Sequence, residues 1–129
     1  MSKAKAVVEA VAFEALHQAI EGAAVYQDAP ENAPTPLVII GDMKSARLPV
    51  KGADADRRVT ITIVSLVEAE ERAPLLTLQE QIEDALDGQS FEQDGWTLAF
   101  EFEDDDAVLS EDGSTYSGVT SFSVLALAP

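Results

Sequence analysis

A stretch near the end of the chain, EFEDDDAVLSEDG at residues 101–113, concentrates side chains that could do chemistry. It holds seven carboxylates in thirteen positions and no basic residue. Carboxylates at this density could bind a metal ion, take part in acid–base catalysis, or face water or a partner protein. The five that stand closest together are Glu101, Glu103, Asp104, Asp105 and Asp106.

The spacing of these acids does not favour a metal site or a catalytic pair. A calcium loop between two helices needs glycine at its sixth position, and counting from Asp104 the sixth residue is Leu109. A catalytic carboxyl group needs a desolvated site that raises its pKa, whereas adjacent acids in a predicted loop should be solvated. The only histidine, His17, is predicted on a helix surface with no nucleophile motif beside it. We therefore expect no catalytic residue, cofactor or metal ligand, with an acidic metal-binding domain as the alternative from another class.

The basic residues are concentrated in a different part of the chain. Five of the eight lie between positions 44 and 58, where two aspartates oppose them, which leaves that window at +3 (five minus two). These five are Lys44, Arg47, Lys51, Arg57 and Arg58. Residues 73–129 hold thirteen acids and no lysine or arginine. Opposite patches on one chain favour head-to-tail association between copies, although the basic residues could equally balance local acids such as Asp54 and Asp56.

Composition excludes several classes of function. The chain has 129 residues and a net charge of −16, which argues against a surface that grips nucleic acid or an anionic membrane. Such an acidic chain could also act as a DNA mimic that binds a basic protein. There is no cysteine, so neither a disulfide nor a thiolate metal site can form. The length fits a single domain over residues 1–129 with a sizeable core.

Periodicity predicts the elements that would position these charges. Apolar residues recur at helical spacing over 4–21 and again over 73–87, where Pro74 marks the start of the helix. LVIIGD at 37–42 and RRVTITIVSLVE at 57–68 indicate strands, joined by a long loop or hairpin arm at about 43–57 that carries the basic window.

The last third of the chain is predicted to be strands. Asp94-Gly95 indicates a two-residue hairpin, and the residues from Trp96 to Phe102 alternate apolar with polar. Asp104–Asp106 would then begin a loop, and a long strand would follow at 114–128. The fold class is α+β: a single domain with an antiparallel β-sheet and two helices packed on one face.

This layout resembles a family of small tail-completion proteins, often called tail terminators, of long-tailed bacteriophages and gene transfer particles. The resemblance runs from about Phe13 to Leu127. It is carried by Val25-Tyr26 with Ala29-Pro30, by the strand from Pro36 to Gly41, and by the strand and helix that end at Leu86-Asp87-Gly88.

The resemblance implies a structural role rather than catalysis. Members form rings, usually hexameric, at the head-proximal end of the tail tube, where they stop tube polymerisation and join the tail to the neck. The expected partners are further copies of the chain, the tail tube protein and a neck connector protein, with DNA passing through the lumen without specific binding and no membrane involved. The expected location is the virion tail or neck, after assembly in the bacterial host cytoplasm. A neighbouring connector or stopper role is the closest alternative. The acids would line the lumen or meet the basic arm of a neighbour.

Overall fold

The computed structural model describes residues 3–49, 52 and 54–129. Within them the chain forms two helices and six strands. In chain order these are α1 (Ala4–Ala19), β1 (Ala24–Tyr26), β2 (Leu37–Arg47), β3 (Arg57–Glu68), α2 (Ala73–Leu86), β4 (Ser90–Gln93), β5 (Trp96–Leu109) and β6 (Thr115–Leu127). The predicted α+β class is confirmed.

All six strands lie in one sheet with the order β1-β2-β3-β6-β5-β4. Every neighbouring pair is antiparallel except β1 and β2, which run parallel through Ala24–Tyr26 and Leu37–Ile39. The sheet is therefore mixed, which corrects the purely antiparallel sheet expected from the sequence. The segment at 27–36, which contains three prolines, brings the chain back alongside β1 in the same direction.

One face of the sheet packs against both helices and forms the core; we call it the covered face and the opposite one the open face. The strands alternate accordingly: Val59, Ile61 and Ile63 of β3 are fully buried, as are Phe122 and Val124 of β6. The helices contribute apolar stripes at helical spacing, which explains why these segments fold as helices against a sheet. The large apolar side chains that α1 and α2 bury are Val7, Val8, Val11, Leu16, Leu75, Leu78, Ile82 and Leu86.

Two strands extend further than their composition suggests. β5 continues to Leu109, so Asp104, Asp105 and Asp106 lie within a strand, and the expectation that they begin a loop is wrong. β2 continues to Arg47 and pairs with β3 as far as Arg57, so both ends of the predicted arm at 43–57 belong to a β-hairpin. In both places an outer strand is held by pairing with its inner neighbour, so it needs little burial of its own side chains.

Each of these long strands contains a β-bulge. The pairing of β2 with β3 shifts between Ile40 and Met43, and that of β5 with β6 shifts between Phe102 and Asp104. The bulge in β5 is held by Asp87, just past the end of α2, whose carboxylate accepts a hydrogen bond of 2.9 Å from the backbone N–H of Phe102. An extra residue in one strand bends it and increases its twist.

Candidate interaction surfaces

The basic window does not form one patch. Lys44 and Arg58 lie on the open face of adjacent strands, where Lys44 pairs with Thr60 and Arg58 with Ala46. Arg47 and Arg57 pair directly with each other on the other side of the same hairpin. Lys51 lies outside the described residues. The structure therefore divides the four described basic residues into two pairs on opposite faces.

Arg57 is engaged within its own loop. Its Nη1 donates to the backbone carbonyls of Asp54, at 2.5 Å, and Asp56, at 2.8 Å. The carboxylate of Asp56 in turn accepts a 2.7 Å hydrogen bond from the backbone N–H of Ala128. Two like charges opposite each other in a sheet repel, and these bonds draw the Arg57 guanidinium toward the loop. Arg47 is exposed beside it.

The acidic stretch is also divided by the pleat of β5. Glu101, Asp104 and Asp106 pair with Ser123, Ser121 and Val119 of β6, all of which belong to the open face. Asp105 pairs with Thr120, whose side chain is buried on the covered face. Glu103 has no partner in the register because it occupies the bulge between Phe102 and Asp104. All five acids are exposed.

Asp106 helps to hold the sheet together. One of its carboxylate oxygens accepts a 3.0 Å hydrogen bond from the backbone N–H of Val119, and its backbone carbonyl accepts one of 2.6 Å from Nε2 of Gln79. Gln79 belongs to α2 and is only 4% exposed. It reaches the strand because Gly118 has no side chain: a Cβ there would overlap the Gln79 amide. Neither Gln79 nor Gly118 was singled out from the sequence, where both fit an ordinary helix and strand pattern.

Negative charge accumulates where α2 approaches β5. The pKa of Glu83 is raised, first by desolvation and then by the nearby carboxylates of Asp87 and Asp105. Among the residues that the structure describes, no group of three or more potential metal ligands is placed to hold an ion. The acidic surface is thus a source of repulsion that an opposite charge would relieve.

On the open face, acidic and basic residues approach each other across β6. Nη1 of Arg58 donates a 2.9 Å hydrogen bond to Oγ of Ser123, and Ser123 is the register partner of Glu101 on β5. Arg58 is therefore drawn toward the middle of the sheet. Lys44 and Arg47, which are both exposed, stand on the outer strand β2.

The turn between β5 and β6 has its own polar network. The carboxylate of Asp112 accepts hydrogen bonds from the hydroxyls of Ser110 and Ser114, each at 2.7 Å, and one of 3.0 Å from the backbone N–H of Ser114. These bonds lower the pKa of Asp112 to about 2. Glu111 and Asp112 thus belong to a turn, separate in role from the acids of β5.

In the described part of the chain no helix has the length and apolar character to cross a membrane.

Comparison with known proteins agrees with this architecture. A search of curated proteins finds no match. Among solved structures, a chain of the virion of a native gene transfer agent particle is similar with a TM-score of 0.83 and 18% identity, over 98% of this chain and 100% of that one. The gp17 protein of bacteriophage SPP1 is similar with a TM-score of 0.56 and 19% identity, over 94% and 86% of the two chains. At these identities the likeness establishes a shared fold.

A family model carries the assignment further. The model described as tail completion protein gp17 matches residues 4–126, which spans both helices and almost the whole sheet. This match confirms the resemblance seen in the sequence, and with it a structural role in completing a tail and a place in the virion. The chain belongs to the gp17 family of tail completion proteins.

Proposed function

We propose that this protein is a tail terminator: copies of the chain assemble into a ring at the head-proximal end of a tail tube and end its polymerisation. The family match over residues 4–126 is the observation that carries this proposal. The fold supports it, since the similarity to a chain of the gene transfer agent virion extends over 98% of this chain and 100% of that one. The ring acts by contact alone, without catalysis.

The distribution of charge also supports an assembly role. The chain carries a net charge of −16, and β5 carries five acids and no base, while Lys44 and Arg47 lie on β2, toward the other side of the sheet. Copies of such a chain repel one another unless unlike surfaces meet, so head-to-tail contacts are favoured over contacts between identical patches. In a ring, the tube protein contacts one rim and a neck connector the other.

The acids of the open face suit the passage of DNA. Glu101, Asp104 and Asp106 stand side by side on that face, and carboxylates repel the phosphate backbone rather than bind it. We assign Glu101 and Asp104 to the lumen side of the ring, where they keep DNA from adhering as it passes. Asp105, whose side chain points to the other face, has no such role.

The decisive experiment measures tube length. Purified tube protein is polymerised in the presence of increasing amounts of this chain, and the tubes are measured by negative-stain electron microscopy. A terminator shortens the tubes at substoichiometric amounts and leaves a visible cap at one end. An equal amount of an unrelated acidic protein is the control for specificity, because negative charge alone should not cap a tube.

Two results would contradict the proposal. Tubes of unchanged length in the presence of folded wild-type chain would exclude termination. A chain that binds preformed neck connectors but not tube ends would transfer it to a connector or stopper role in the neck.

A further inference from the structure

β2 and β5 each have a strand partner on their outward side over only part of their length. β1 pairs with β2 at Leu37–Ile39 and β4 pairs with β5 at Trp96–Ala99. Gly88, Gln89 and Asp87 extend the cover of β5 to Phe102 through bonds to its backbone. Beyond these points, Met43–Arg47 of β2 and Asp104–Leu109 of β5 have strand partners on their inner side alone, among the described residues. We call these two segments the open edges.

The open edges lie at diagonally opposite corners of the sheet. At one end of the sheet, the register aligns Arg47 of β2 with Arg57, Ala126 and then Leu98 of β5, and at this end β4 pairs with β5. At the other end, it aligns Leu37 of β2 with Leu66, Ser117 and then Val108 of β5, and at this end β1 pairs with β2. Each open edge therefore faces outward from a different corner, and a second copy can reach one without blocking the other.

The two open edges carry opposite charges. The edge of β2 has Lys44 and Arg47 and no acid, and the edge of β5 has Asp104, Asp105 and Asp106 and no base. Unpaired strand edges are templates for pairing with another chain, and charge decides which pairing is allowed. Two copies of the β5 edge repel, as do two copies of the β2 edge, whereas one of each attracts. We propose that the open edge of β2 in one copy pairs, antiparallel, with the open edge of β5 in a second copy of this chain. This inference rests on the proposed ring and specifies its subunit contact.

The backbone is oriented for this pairing. The side chain of Phe100 lies on the covered face, and its backbone N–H and C=O point away from β6, to Gln89 and Gly88. After the bulge, the covered-face residues Asp105, Ala107 and Leu109 likewise direct their backbone N–H and C=O groups away from β6. β2 and β5 run in opposite directions within the sheet, so covered-face residues of β2 point their backbone groups to the opposite margin. Donors and acceptors of both open edges are therefore available on residues of the same face.

One register satisfies the side chains as well, with Ser45 opposite Ala107. Arg47 then faces Asp105, and Met43 faces Leu109, on the covered face. On the open face Lys44 lies over Val108, with its ammonium within reach of the diagonal neighbour Asp106. Val108 is 52% exposed and Leu109 42%, so two neighbouring large apolar side chains of this edge face solvent. The contact would cover both.

The contact is heterologous, since each copy offers two different edges, and such contacts close into a ring when the rotation fits. Because the open edges lie at different levels, each copy would be shifted along the strands relative to its neighbour, as strands are in a closed barrel. The sheet would then continue from one subunit to the next around the ring.

Cysteine cross-linking tests the contact, because the natural chain has no cysteine. Ser45→Cys and Ala107→Cys proteins are mixed, oxidised and run on a non-reducing gel. Opposed residues in an antiparallel pair have Cα atoms about 5.5 Å apart, within the range that a disulfide spans. We expect a mixed dimer in at least tenfold excess over the product of Ser45→Cys with Thr97→Cys, since Thr97 lies on the part of β5 that β4 covers.

Charge reversal makes the test specific. Arg47→Glu on the Ser45→Cys protein should suppress the cross-link, and Asp105→Arg on its Ala107→Cys partner should restore it. The measurement is made on free protein and on chain bound to tube ends. No preferential Ser45–Ala107 product in either state, or suppression without restoration, overturns the edge contact.

The outcome separates the contact from the function. Termination of tubes without this cross-link would refute the edge contact and leave the terminator role intact. A cross-linked assembly that leaves tube length unchanged would refute the terminator role and leave the contact intact.

Discussion

Replacing Gly118 by alanine should disrupt the junction between α2 and the β5–β6 hairpin. A Cβ at this position would overlap Nε2 of Gln79 and lie 3.0 Å from both Cδ of Gln79 and the backbone carbonyl oxygen of Asp106. The Asp106 carbonyl belongs to a paired strand and cannot move aside easily. The Gln79 amide must therefore leave, and its 2.6 Å hydrogen bond to that carbonyl is lost.

The size of the stability loss expected for Gly118→Ala follows from the burial of Gln79. Its side chain is 4% exposed, so a displaced amide leaves a buried polar group without its partner. Such a loss lowers the free energy of unfolding by about 1–3 kcal/mol. Gln79→Ala should lower it by a similar amount, because it removes the same hydrogen bond. In the Gln79→Ala background there is no amide to displace and only the 3.0 Å approach to the Asp106 carbonyl oxygen remains, so we expect Gly118→Ala to lower the free energy of unfolding by clearly less than it does in the wild-type chain.

Urea unfolding followed by Trp96 fluorescence measures all four proteins of this cycle. Measurements at two protein concentrations separate folding from association, since association makes apparent stability depend on concentration. Ser117→Ala, one residue away on the open face, is the matched control and should lie within about 0.5 kcal/mol of wild type. Additive effects of the two substitutions would show that Gly118 and Gln79 do not share one interaction, and the reasoning would fail.

Three further predictions concern the core and the two carboxyl groups whose pKa is shifted, those of Asp112 and Glu83. Phe122→Ala should lower the free energy of unfolding by about 3–5 kcal/mol, because the ring is fully buried in the centre of the sheet; a loss below 1 kcal/mol in urea unfolding would contradict that placement. Ser110→Ala should raise the pKa of Asp112 from about 2 toward its ordinary value of 3.8 in an NMR titration, because one of the hydrogen bonds that lower it is removed. The lowered pKa stabilises the fold above the unfolded pKa, and this contribution is lost as pH falls through about 2. The pKa of Glu83 is raised, so its charge opposes folding and the fold gains stability as pH falls through that pKa. Glu83→Gln should accordingly raise the melting temperature at low salt, with a smaller gain at 1 M salt; a fall in melting temperature would show that the carboxylate makes a favourable contact.

The sequence is most informative where one side of an element is buried. The alternation from Trp96 to Phe102 predicts a strand, and the stripe of Leu75, Leu78 and Ile82 predicts a helix; both are confirmed. The prediction fails at Asp104–Asp106. Their strand is held by backbone pairing with β6 rather than by burial, and the bulge at Glu103 interrupts the alternation. For the same reason the sequence left residues 43–57 open between a loop and a hairpin arm, since residues 44–47 are exposed on both faces.

The candidate surfaces were predictable only in part. The separation of charge along the chain is visible in the sequence, but its division between faces depends on where the bulges fall. Arg57 and Arg58 are adjacent in sequence, yet one bonds to its own loop and the other to Ser123. Gln79 and Asp87 carry no local signal, because their hydrogen-bond partners lie 27 and 15 residues away. Whether the acids meet a neighbour or the lumen stays a prediction.

The bulge at Glu103 has a consequence for how this protein can change over time. Side chains in a strand alternate with a period of two, and Glu103 is the extra residue between Phe102, which faces the helices, and Asp104, which faces away from them. A strand without Glu103 would therefore keep every later residue on its present face and lose only the bend. Loss of a second residue, such as Asp104, would turn the rest of β5 over and place Asp106 and Val108 against the helices. We therefore expect inherited length differences in this strand to be confined to one residue at the bulge.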